Sequence, residues 1–70
     1  MKSETLTRIE NLKANDILTS DIVDTAIVLD NRNGYCEVVE CDYSEENQMY
    51  TPTDRIRRLT YSEIARDYDI

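Results

Sequence analysis

The sequence predicts a small α+β domain, one curled antiparallel sheet of three to five strands with an N-terminal helix and a short C-terminal helix. Three observations lead there. Apolar residues recur at helical spacing near the start, two β-type runs flank Asn33-Gly34, and T-Y-S-E at 60–63 has the spacing of a helix capping box.

The first segment, SETLTRIENLKAN, places Leu6, Ile9 and Leu12 on one helical face. Ser3 is expected to cap this helix, and Asn15 to end it in a left-handed conformation. The stripe is narrow, so the helix must lie on something else to be stable. Next, DIVDTAIVLD (21–30) is rich in Val, Ile and Thr and predicts a strand, and YCEVVECDY (35–43) predicts its hairpin partner across the Asn-Gly turn. Within the second arm the apolar residues change face: Cys36 and Val38 share one side, whereas Val39, Cys41 and Tyr43 share the other. A bulge near Val38-Val39 would bring all five to the core and leave Glu37, Glu40 and Asp42 outside.

Ser44–Asn47 is expected to turn, and QMY to form a short strand. TPTD (51–54) has the form of a capped turn, with Thr51 as cap and Pro52 at the first position. RIRRLT either continues that turn or makes the last strand, and Thr60 with Glu63 starts the final helix. A bent strand and a short turn before the last strand resemble features of SH3-like barrels, which makes a curled, barrel-like sheet one form this architecture can take.

Length and composition bound the function. Seventy residues allow one domain, 1–70, and a chain this short buries only about 60% of its unfolded surface. With 40% hydrophobic and 33% charged residues it has the balance of a folded domain. The opening MKSETLTRIE has no apolar stretch of a secretory signal and no segment approaches a membrane span, so a cytoplasmic location is expected. Cys36 and Cys41 lie five residues apart, roughly 16 Å along a strand, too far for a local disulfide. Two free thiols suit a reducing compartment.

Catalytic chemistry lacks its parts. There is no His to serve as base or ligand, and the one glycine belongs to the hairpin, which leaves no phosphate loop. Asp30-Asn31-Arg32-Asn33-Gly34 starts like a calcium loop but places Arg at a ligand position, and Asp42-x-Ser44-x-Glu46 lacks the glycine and final glutamate. No enzyme activity, metal or cofactor is expected.

The charge map is more informative. Net charge is −7, but residues 1–13 and 55–70 each sum to +1, whereas residues 16–54 hold ten acids and only Arg32, a net −9. Such carboxylates repel within a Debye length of about 8 Å unless fully solvated or met by a basic partner. The preferred expectation is therefore a non-enzymatic binding protein whose acidic β surface, with Glu37, Glu40, Asp42, Glu45 and Glu46 as charges and Tyr43 as anchor, engages the basic surface of a larger protein. In size and charge the chain looks like the small acidic inhibitors with which phages block host nucleases and CRISPR complexes, acting as nucleic-acid mimics. A nuclease or CRISPR-type complex is thus the partner class, with no direct nucleic acid and no membrane, and a homodimer is compatible with so short a chain. Arg55, Arg57 and Arg58 are expected to pair with the chain's own acids rather than with phosphates. The alternative is an SH3-like adaptor or assembly module that binds a peptide or itself through tyrosines and a sheet edge.

Overall fold

A computed structural model describes residues 2–70. The element order is α1 (Ser3–Glu10), β1 (Ile17–Leu18), β2 (Ala26–Arg32), β3 (Tyr35–Ser44), β4 (Met49–Thr60) and α2 (Tyr61–Asp67). The strands form a four-stranded antiparallel meander in the order β1-β2-β3-β4. No ladder joins β1 to β4, so closure into an SH3-like barrel is not shown by the pairing.

α1 is shorter than its apolar stripe suggested. Lys2, not Ser3, is its N-cap, without a side-chain cap bond, and Asn11 is its C-cap. Asn15 does adopt positive φ (78°), but beyond the helix, where its N–H donates to the Val28 carbonyl at 2.8 Å and starts β1 alongside β2. β1 was not foreseen, and the strand expected from Asp21 begins only at Ala26. Residues 21–23 bend instead, because the Ser20 hydroxyl accepts from the Ile22 and Val23 N–H groups.

The hairpin turn forms as the Asn-Gly pair predicts, with Gly34 alone at positive φ (108°). The expected bulge in β3 does not occur. β3 pairs regularly through Val38 and Val39, and the extra residues lie on its neighbours: Leu29 in β2, and the stretch 53–55 of β4 opposite Glu40. Because β3 is interior to the sheet, Cys36, Val38, Val39 and Cys41 are all buried, though on two faces, whereas Tyr43 is 53% exposed. The predicted TPTD turn and the Met49-Tyr50 part of the short QMY strand belong to the single strand β4, whereas Gln48 lies in the preceding turn, which runs over 45–48 rather than the expected Ser44–Asn47. In β4, Thr53 Oγ1 donates to the Glu40 carbonyl at 2.8 Å and accepts from the Arg55 N–H, which shapes the bulge. Pro52 is tolerated because β4 is an edge strand. α2 begins with the predicted capping box, Thr60 and Glu63 each bonding the other's backbone N–H.

Residues paired across the ladders share a face, which divides the sheet cleanly. On one side Leu18, Ala26, Val28, Cys36, Val38 and Leu59 meet Ile9 of α1 and Ile64 and Tyr68 of the C-terminal segment in the core. Asn31 lies on this side, and its Nδ2 donates to the carbonyls of Ile9, Glu10 and Leu12 at 2.9, 3.2 and 2.9 Å. Its Oδ1 accepts from the Tyr61 hydroxyl at 2.6 Å. One side chain thus closes the C-terminus of α1 and ties it to α2.

Candidate binding surface

The six residues selected from the sequence do not form one face. Glu40 and Asp42 belong to the helix-bearing side, because Glu40 lies opposite core residue Ala26. Arg55 Nε meets Glu40 Oε2 at 2.8 Å and its Nη2 meets Asp42 Oδ1 at 2.9 Å, while Arg57 Nη1 meets Glu40 Oε1 at 3.0 Å. Glu40 is only 16% exposed, and hydrogen bonds first from Arg55, then from Arg57, hold its pKa below the ordinary glutamate value. Its charge is therefore largely answered inside the protein. Glu37 projects from the opposite side, paired across the ladder with Arg58.

The arginines of β4 follow the expected pattern at two of three positions. Arg58 instead rests over the Tyr35 ring, 5.7 Å from its centroid, a cation–π contact. The calcium-like segment is likewise occupied internally. Asp30 bonds Arg32 at 2.7 Å, and Asn31 is committed to the helix termini.

What remains is the far end of the β3–β4 hairpin. Tyr43 and Tyr50 are cross-strand partners with ring centroids 5.1 Å apart, tilted by 57° and about half exposed. The connecting turn carries Glu45 and Glu46, both exposed and, among the described residues, without a salt-bridge partner. Its geometry is set by Gln48 at φ 51° and by the Asn47 N–H donating to Ser44 Oγ. Met49, 53% exposed, completes the tip. The turn with its flanking tyrosines, residues 43–50, holds two acids and no base. The structure thus joins Tyr43, Glu45 and Glu46 and adds Tyr50 and Met49, while it removes Glu37, Glu40 and Asp42 from that group. Glu37 parts from Glu40 and Asp42 because β3 is regular where a bulge was expected, so alternation puts it on the other face, whereas the pairing of Glu40 with Arg55 and Arg57 is a cross-strand contact.

Both thiols are buried and free, and burial raises their pKa, with Asp30 adding to the effect at Cys36 and Asp42 at Cys41. Neither has the electropositive, exposed setting of a reactive cysteine. Among the described residues no helix is long and apolar enough to cross a membrane. Comparison with protein-family models, with curated proteins and with solved structures finds no match, so the functional reading rests on geometry and charge.

Proposed function

We propose that this chain is a non-enzymatic binding protein whose β3–β4 hairpin tip engages a basic, nucleic-acid-binding surface of a larger protein, in the manner of a phage-type inhibitor or nucleic-acid mimic. One observation carries the reading: an exposed tyrosine pair sits beside two carboxylates, Glu45 and Glu46, that no internal cation neutralises among the described residues. A rigid aromatic pair supplies contact area at low entropic cost. Unpaired acids around it steer the encounter and oppose acidic competitors. The ion pairs of Glu40 with Arg55 and Arg57 then hold the arm rather than touch the partner.

The alternative, an adaptor that binds a peptide by strand addition, fits β4 less well. Pro52 cannot donate to a ladder, the 53–55 bulge breaks the register, and three arginines line the strand, all devices that blunt a sheet edge.

The test is capture from the source organism's lysate on immobilised protein, with elution by a salt series and by duplex DNA, followed by mass spectrometry. The expected result is a nucleic-acid-handling protein released by DNA and by rising salt. It should be lost with Glu45→Lys/Glu46→Lys and with Tyr43→Ala/Tyr50→Ala, while Glu37→Gln retains it. Capture indifferent to salt, to DNA and to the charge reversal overturns the proposal.

A further inference from the structure

The side of the sheet away from the helices holds a second feature. Ile17, Ile27, Val39 and Ile56 are successive cross-strand partners in β1, β2, β3 and β4, so they form one apolar row across the whole sheet. Val39 is 7% exposed, whereas both row ends, Ile17 and Ile56, are 63% exposed. Bulge residue Leu29, 42% exposed, lies next in β2. Neither Val39 nor Cys41 belongs to the core cluster under the helices, and α1 and α2 both place their buried residues on the other side.

We infer that this row is a homodimer interface, on which a second copy of the chain packs face to face to complete a two-sheet sandwich. Charge selects that occupant. The charged ladder residues on this side are Asp30, Arg32, Glu37 and Arg58, two of each sign, in a chain of net charge −7. All four lie on the β2–β3-turn side of the row, and a neutral, mixed-sign cluster beside an apolar row complements its own copy when a twofold axis runs along the strands, whereas it offers no net attraction to a strongly basic or acidic partner. Area sets the strength. Outside the hairpin tip the face spans the seven residues of β2 along the strands and four strands about 4.8 Å apart, on the order of 400 Å² per copy. An interface of that size is weak, so the dimer forms at high protein concentration.

The remaining acids give the association a distinctive salt response. Two copies of charge −7 repel at long range, so the dimer strengthens as salt rises, opposite to the partner binding proposed for the tip.

Sedimentation equilibrium of the purified chain across concentration, at low and high salt, tests this. The expected result is twice the 8.2 kDa chain mass at high concentration, with the midpoint moving to lower concentration as salt rises. Ile56→Lys and, separately, Ile17→Lys should remain monomeric. Both sites are exposed, so circular dichroism should stay unchanged, and Glu45→Lys/Glu46→Lys should still dimerise. A wild type that is monomeric at every concentration, or a dimer that both lysine variants leave intact, overturns the inference. Failure at the tip leaves it untouched.

Discussion

Replacing Asn31 by Ala removes more than one contact. Its amide donates to three carbonyls at the end of α1, and its oxygen accepts from Tyr61. Of these carbonyls, Ile9 also accepts from the Leu12 N–H at 3.1 Å, so it keeps a partner. Leu12 and the Tyr61 hydroxyl lose theirs in a part-buried setting. A net hydrogen bond contributes about 1 kcal/mol, and an orphaned part-buried group costs about 1–3 kcal/mol, which together give a loss of about 2–4 kcal/mol. For a domain this small that is a large share of total stability and lowers Tm by roughly 10–20 °C. The assay is thermal unfolding by circular dichroism at pH 7 for Asn31→Ala, Asn31→Asp and Tyr61→Phe. Asp keeps the acceptor for Tyr61 but turns carboxylate oxygens toward three carbonyls at the negative end of a helix, so it should be at least as damaging as Ala. A loss below about 4 °C for Asn31→Ala, or an Asp variant as stable as wild type, refutes the role assigned to the amide.

Acid should dissolve the Glu40 cluster. Because its folded pKa lies below the ordinary value of 4.5, its contribution is fully present above that value and is lost as pH falls through the folded pKa. The stability difference between wild type and Glu40→Gln in urea melts should therefore be constant from neutral pH to about pH 5 and close below about pH 4; a difference independent of pH contradicts the pairing with Arg55 and Arg57. Gly34 sits at φ +108°, and a methyl group placed on its Cα would meet no atom within 4 Å, so Gly34→Ala tests backbone strain without a clash. It should cost about 1–2 kcal/mol, read as a Tm drop of roughly 5–10 °C, and an unchanged Tm would mean that the turn relaxes freely.

Elements with local signals were legible in the sequence. Thr60 and Glu63 announced α2 because a capping box is completed within four residues, and Asn33-Gly34 announced the β2–β3 hairpin. Burial of Cys36, Val38, Val39 and Cys41 was also legible, but the cause was not. A change of face along one strand reads as a bulge, yet here the interior strand is regular and its neighbours carry the irregularities. β1 escaped because two residues give no periodicity; its position depends on Asn15 and Asp16 bonding Val28. The turn expected at 51–54 failed because Pro and Thr fit an edge strand with a bulge as well as they fit a helix start. For the candidate site, exposure of Tyr43 and Tyr50 followed from their places beside the turn. Glu37 left the group because the bulge expected in β3 is absent and plain alternation puts it on the other face; Glu40 and Asp42 left it through pairing with Arg55 and Arg57, which spacing along the chain does not encode.

The two thiols of β3 offer a native record of how the molecule opens. Cys36 lies beneath the helices and Cys41 on the other side of the same strand, both shielded. An alkylating reagent therefore reaches Cys36 only when the helical layer lifts, and Cys41 only when the hairpin arm parts from its neighbours. Comparing the two labelling rates separates these motions without an introduced probe. If copies of the chain meet through the row that contains Val39, protein concentration slows the second rate and leaves the first unchanged.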